Sequence, residues 1–303
     1  MNAEIGCRAA STVLNDVGGR PRGLPARAAL INKSGEKSRP FERGFMITAY
    51  TLFSGSTGNS IYIKNGSDEI LIDAGKSASA VDKALCQVGS GLGRISAIFL
   101  THEHSDHTGG LEVISKKHHI PIHITAPSYP RVAYQGSFAS QCAHAHEVHY
   151  EVKVGSLTVR SFVVPHDSIQ NVGYIITTDE GEALGVATDI GHVTDEMKTS
   201  LCGCKTAIVE SNHDKFLLVA GKYPEFLKHR ILADTGHLAN EDSAELCLYL
   251  AKSGTESITL AHLSRENNSP EIAHSVTRQH LDRHGYDSVA LNVAMPNTVV
   301  RVK

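Results

Sequence analysis

Long apolar runs are missing from this 303-residue chain. No stretch approaches the 18 or so consecutive apolar residues of a membrane span, and the N-terminus lacks the basic start and apolar core of a secretory signal. The chain therefore reads as a cytoplasmic protein with no membrane partner. Paired C-x-x-C spacing is missing as well. The six cysteines, Cys7, Cys86, Cys142, Cys202, Cys204 and Cys247, read as reduced thiols. Cys202 and Cys204 have no partner pair with which to build a soft metal site. A strong charge of either sign is absent too, with a formal net charge of −3. A hydrophobic share of 41% suffices for a sizeable core, in one large α/β domain or two small ones.

Residues 1–45 differ from the rest. They carry eight Lys or Arg against four Asp or Glu, and Gly18-Gly19, Pro21, Pro25 and Pro40 interrupt any periodicity. Such a segment buries little and is expected to be a disordered N-terminal extension, or the product of a start assigned upstream of Met46. Its acidic residues speak against a transit peptide. The folded part, 46–303, then holds 21 basic and 28 acidic residues, which counts against a broad nucleic-acid-binding surface.

Histidine is what the chain has in quantity, 18 in all. The segment Thr101-His102-Glu103-His104-Ser105-Asp106-His107-Thr108-Gly109-Gly110 follows the β-branched, apolar run Ile95 to Leu100, which reads as a buried strand, and precedes a helix from Leu111. In extended backbone, side chains two apart leave one face, so His102, His104 and Asp106 can converge while the turn swings His107 aside. Three imidazoles and a carboxylate within six residues exceed what one tetrahedral ion with room for water can use. The spacing predicts two metal ions.

The remaining elements keep placing polar residues at strand ends. Ile47 to Phe53 and Ser60 to Lys64 are strands joined by Ser54-Gly55-Ser56-Thr57-Gly58-Asn59. That loop is a hairpin or, through Ser54, Ser56, Asn59 and its backbone N–H groups, a phosphate cradle. Strand Glu69 to Asp73 ends in a carboxylate that is expensive to bury unpaired, and metal-bound imidazoles need a partner for their second nitrogen. Asp73 is assigned to that supporting role. His166 and Asp189 follow further strands, and Glu210 leads from another into Ser211-Asn212-His213-Asp214. His237 precedes a helix with Asn240 as a plausible N-cap, and His262 follows strand Ile258 to Leu260. A last helix starts at Ser269-Pro270-Glu271. Strands grouped with helices across both halves predict two packed sheets covered by helices.

T-H-E-H-S-D-H, with Asp73 upstream and His166, Asp189 and His262 downstream, resembles the metallo-β-lactamase fold, a four-layer αββα sandwich with a dinuclear metal site at one edge. S-G-S-T-G-N-S, V-P-H-D, E-S-N-H-D, G-H-L-A-N-E-D-S-A and A-H-L-S-R-E-N-N together resemble its WalJ/YycJ branch of exodeoxyribonucleases. The resemblance covers about residues 46–303. It implies that His102, His104 and His166 hold one divalent ion and Asp106, His107 and His262 the other, with Asp189 and a hydroxide between them. Zinc or manganese suits such ligands, and iron is compatible. It further implies DNA hydrolysis, with Asp106 in the reaction centre, His237 as stabiliser of the scissile phosphate or acid to the leaving oxygen, and His213 as a phosphate contact or packing residue. Lys76 and Arg265 are candidates for further phosphate contacts. The chain shows no Gly/Pro-rich arm of the tRNA-processing enzymes and no second domain between Asp189 and His262. The alternative is a small-molecule hydrolase acting on a cyclic phosphodiester, lactone or thioester. A binding module without catalysis ranks last, since no ligand is missing from the pattern.

Overall fold

The computed structural model describes residues 46–303; the disorder expected of 1–45 lies outside them. Two seven-stranded sheets form the centre. The first contains β1 (Thr48–Phe53), β2 (Ser60–Asn65), β3 (Asp68–Ile72), β4 (Ala97–Phe99), β5 (Ile122–Thr125) and β6 (Ala143–His146) in that spatial order, with β14 (Val300–Arg301) outside β1. The second contains β7 (Glu151–Val154), β8 (Leu157–Val163), β9 (Val172–Thr178), β10 (Ala183–Ala187), β11 (Thr206–Glu210), β12 (Ser257–Ala261) and β13 (Ala290–Val293), again in order.

Alternation along the strands sorts side chains into three cores. Ile70 and Ile72 face the second sheet, where they meet Tyr174, Ile176 and Val186, while Leu71 points outward. Leu71 packs under α1 (Ala78–Gln87) and α3 (Leu111–His118), which follow the short turn α2 (Ser105–Thr108). The same layer takes α4 (Tyr129–Gln135) and α5 (Ser137–Cys142). On the far side Ile175, Val209 and Leu260 point outward toward α6 (Asp195–Leu201), α9 (Asn240–Lys252) and α10 (Pro270–Arg283). A strand buried on both faces must be apolar at every position, which is why these runs show little alternation in sequence. Each fully buried Leu or Ile contributes about 1.5–3 kcal/mol. The order helix, sheet, sheet, helix is the four-layer αββα sandwich expected.

Several local expectations shift. The strand read from Ile95 shortens to Ala97–Phe99, behind a 3₁₀ turn at Leu92–Arg94. The strand read from Ile120 begins at Ile122, since Pro121 has no N–H to pair and offers only its carbonyl, to Ile98 N at 2.9 Å. Asn240 is not the N-cap of α9. Ala239 occupies that position, and the Asn240 Oδ1 accepts hydrogen bonds from Ser211 Oγ and Asn268 Nδ2 at 2.7 and 2.9 Å. Strands β6 and β7 and helices α4 and α5 were not read from sequence. Nor were α7 (Lys215–Ala220) and α8 (Glu225–Leu232), a helical pair that stands between β11 and α9.

Strands β3, β4 and β5 are mutually parallel, as are β10, β11 and β12, while β8 and β10 both run antiparallel to β9. Residues just past β3, β4, β8, β10, β11 and β12 meet at one edge, the place where parallel sheets present ligands.

Candidate metal centre

At that edge the chain turns sharply. Asp73 and His262 follow a strand directly and Asp189 lies two residues past one, and all three adopt left-handed backbone, with φ of 62°, 58° and 58° for Asp73, Asp189 and His262. Non-glycine residues rarely take this conformation, and it clusters at functional sites. Each turn aims a side chain inward that a continuing strand would place on a sheet face.

The segment after β4 departs from simple alternation. His102 and His104 remain extended neighbours, with His102 Nε2 and His104 Nδ1 3.0 Å apart. From Ser105 the backbone becomes helical, which brings His107 as well as Asp106 into the cluster. His107 is fully buried at the middle of the cluster rather than swung aside, and Asp106 stands at its outer rim. Gly75 makes this turn possible. A Cβ there would lie 1.6 Å from the Asp106 carbonyl oxygen.

Four overlapping groups of ligand-type atoms result, each with candidate donor atoms within 4.8 Å of one another. Two of them, His102–His104–His166 and Asp106–His107–His262, share no residue, while His102–His107–Asp189 and Asp189–Glu210–His237–His262 overlap them. Asp189 lies between them. Its Oδ1 is 3.8 Å from His166 Nε2, and its Oδ2 is 3.4 Å from His107 Nε2. Supporting contacts fix the rings. Asp73 Oδ2 is 2.8 Å from His107 Nδ1 and accepts from Thr101 Oγ1 at 3.0 Å, while the Gly236 carbonyl is 3.1 Å from His166 Nδ1.

Glu210 had no role assigned from sequence. Its Oε1 lies 2.8 Å from His237 Nδ1 and 2.7 Å from His262 Nδ1, and its Oε2 accepts from Ile190 N and Leu238 N. The only signal was an acidic residue closing the buried run Ala207-Ile208-Val209, the pattern that singled out Asp73. Asp167 was also passed over; its Oδ1 is 3.3 Å from His166 Nε2, and its other oxygen accepts from Arg230.

The electrostatics divide the imidazoles into two kinds. Burial and neighbouring imidazoles hold His102 well below the ordinary histidine value, and burial holds His166 below it as well. Both present uncharged nitrogens. Burial works against charge on His107 and His262 too, but the carboxylates around them prevail. Asp189 and Asp73 lift His107 well above its usual value, and Asp189, Asp106 and Glu210 lift His262 to about 10. Burial opposes ionisation of Asp106 and Glu210 in turn, yet their histidine partners hold both carboxyls far below the ordinary range. The centre is a negative well built to take positive charge.

The loop after β1 serves this centre. Ser54 Oγ accepts from His262 N at 2.8 Å, and Asn59 Nδ2 reaches Asp106 Oδ2 at 3.3 Å and His107 Nε2 at 3.0 Å. Ser56 alone of the three faces the cleft of about 230 Å³ that contains His237 and His262. Lys76 Nζ and Arg265 Nη2 both donate to Thr57 Oγ1, which sets two cations at the loop's outer side. His213 joins none of the ligand groups. It is 1% exposed, neither ring nitrogen has a hydrogen-bond partner, and it lines a second cavity of about 610 Å³ beyond His237. The five described cysteines are free and none enters a ligand group.

A family model described as a beta-lactamase superfamily domain matches residues 68–263. Exodeoxyribonuclease YycJ of Bacillus anthracis is 35% identical over 236 residues, covering 78% of this chain and 89% of that protein. Exodeoxyribonuclease WalJ of Streptococcus pneumoniae is 34% identical over 226 residues, or 74% and 84%. Among solved structures, the metallo-beta-lactamase fold protein YhfI from Bacillus subtilis aligns with a TM-score of 0.64 at 15% identity, covering 84% of this chain and 99% of that one. The architecture, the family match across the strand-end residues and the two relatives agree: the chain belongs to the beta-lactamase superfamily and is a hydrolase of the metallo-β-lactamase fold.

Proposed function

We propose that this hydrolase is a phosphodiesterase acting on DNA, an exodeoxyribonuclease that works with two divalent ions in the cytoplasm. The observation that carries the reading is the Glu210–His237 pair, an imidazole fixed by a buried carboxylate and directed into the same cleft as His262. Lactone or thioester hydrolysis has no evident need of it. The names of the two relatives point the same way.

The residues fit a pair of cations. Asp189 Oδ2 and His262 Nε2 are buried without hydrogen-bond partners, and the surrounding carboxylates favour positive charge. His102, His104 and His166 would hold one ion, Asp106, His107 and His262 the other, and Asp189 would serve both. Nitrogen and carboxylate donors of this kind suit zinc or manganese, with iron compatible. Such ions, when bound, neutralise phosphate charge and make water nucleophilic near neutral pH.

The chain's own groups do the rest. Ser56, Lys76 and Arg265 stand where a phosphate entering the cleft would find a hydroxyl and two cations. His237, its Nδ1–H held by Glu210, presents Nε2 to the scissile group. Glu210 fixes the orientation of the imidazole, from which a proton can pass to the departing sugar oxygen. Water adds to phosphorus, the phosphorus–oxygen bond to that sugar breaks, and the products are a phosphate monoester and an alcohol.

The test is hydrolysis of end-labelled single- and double-stranded DNA after chelation, with manganese or zinc added back, beside His237→Ala. Shortening from one end that depends on metal, and that falls in the variant while both ions stay bound, is the expected result. Intact DNA and RNA with a fully metallated protein would end the nuclease reading and turn attention to small phosphodiesters and thioesters.

A further inference from the structure

Eight large apolar side chains stand exposed among the described residues, and four of them, Phe216, Val219, Phe226 and Leu232, lie on α7 and α8. Phe216 is 77% and Phe226 74% exposed, and neither belongs to any of the three cores. Apolar surface concentrated in this way usually marks a place of contact. The same stretch is basic. From Lys215 to Arg230 it carries four Lys or Arg and a single acidic residue, Glu225, within a folded part that is acidic overall.

The hairpin is ordered by its own contacts. Lys228 Nζ donates to the Val219 carbonyl and to Glu225 Oε1, at 2.8 and 3.0 Å, and so ties the end of α7 to α8. Arg230 donates to Asp167, the neighbour of His166, yet its side chain remains 57% exposed. Lys222 forms no ion pair among the described residues. Position matters most. Tyr223 and Arg230 line the cleft that holds His237 and His262. Phe226 precedes Arg230 by four residues on α8, so the two side chains neighbour each other on the helix surface.

We propose that the α7–α8 hairpin is the platform that receives single-stranded DNA. Bases stack on Phe216 and Phe226, Lys222 and Arg230 face the phosphates, and the strand end passes Arg230 into the cleft at His237. This rests on the nuclease reading above. Exposed aromatic faces interleaved with cations are the means by which single strands are held without regard to sequence. A second copy of the chain is the rival occupant, and charge disfavours it. A twofold contact through this patch would bring the same basic stretch together from both copies.

The experiment compares the metal-loaded full chain with Phe216→Ala/Phe226→Ala, and with Tyr134→Ala, an exposed aromatic outside the hairpin, as control. The readout is the ratio of kcat/KM for a single-stranded 20-mer to that for bis(p-nitrophenyl) phosphate, a diester too small to reach the platform. Loss of two stacking faces is expected to lower this ratio about tenfold or more, with no such fall in the control. A 20-mer carrying 5-iodouracil should photocrosslink to peptides within 215–232. An unchanged ratio with crosslinks elsewhere would overturn the proposal. So would a wild-type dimer that the double variant converts to monomer with the ratio unchanged, since the patch would then be a self-association face. Wild-type protein that cleaves neither substrate would defeat the nuclease reading alone. Crosslinking needs no turnover and would still decide whether the strand lies on α8.

Discussion

Glu210 and His237 form a close pair: Glu210 Oε1 stands 2.8 Å from His237 Nδ1, and the same oxygen is 2.7 Å from His262 Nδ1. One carboxylate thus orients the proposed proton donor and one candidate metal ligand together.

Glu210→Gln should therefore produce two losses from one change. The amide replaces the carboxylate oxygen that holds both Nδ1 atoms, and its NH2 group cannot satisfy Ile190 N and Leu238 N as Oε2 does. Loss of a group that orients a ligand typically lowers activity or metal affinity 10- to 100-fold. Turnover and metal content by mass spectrometry should both fall, whereas His237→Ala should lower turnover alone.

Gly75→Ala tests the turn that carries Asp106 and His107. Its Cβ would sit 1.6 Å from the Asp106 carbonyl and 2.7 Å from Asn59 N, both backbone atoms that cannot swing away. A loss of about 3 kcal/mol or more is expected, in the range of severe overpacking. Urea unfolding measures it, and metal content should fall as well.

Metal affinity should rise with pH. Asp189, Asp106 and Glu210 overcome the effect of burial to keep His262 protonated up to about pH 10, so a cation must displace that proton to use the nitrogen. Each displaced proton adds about tenfold in apparent affinity per pH unit below that value. Calorimetric titration with zinc in buffers of different ionisation heat, between pH 6 and 9, would count the protons. Release of none would contradict the assignment of His262 as a ligand.

Away from the centre, His123 sets a different pH dependence. Burial and the neighbouring His146 and His144 push it down to about 4, and its Nδ1 lies 2.9 Å from His146 Nε2. Between about pH 6.5 and 4 the unfolded chain binds a proton there that the fold does not, so stability is present above 6.5 and lost as pH falls through that window. After allowance for solvent screening the loss is about 1 kcal/mol. His123→Phe, which keeps a ring against Phe99, should flatten the stability difference between pH 7 and pH 4.5 by that amount.

The clustering of candidate ligands at this edge could be read from sequence because they come in dense local patterns at the ends of apolar runs. His102, His104 and His107 share one short segment, and Asp73, Asp189 and His262 each close a strand. What alternation could not reveal was the helical turn at Ser105, where period two gives way to a tighter period and brings His107 into the centre beside Asp106. Glu210 stayed hidden because its function is defined by two histidines 27 and 52 residues away. The α7–α8 pair was missed for a different reason. Its helices run six and eight residues, too short for periodicity to separate from a loop, and their exposed rings follow no core-facing pattern.

The left-handed residues bear on how the protein could change over time. Asp73, Asp189 and His262 each occupy backbone that costs about 1–2 kcal/mol for a residue with a Cβ and almost nothing for glycine. Backbone strain at these three corners would therefore be relieved by the very replacements that remove two candidate ligands, Asp189 and His262, and the Asp73 carboxylate that supports His107. Selection for thermal stability alone would tend to erode the centre there first.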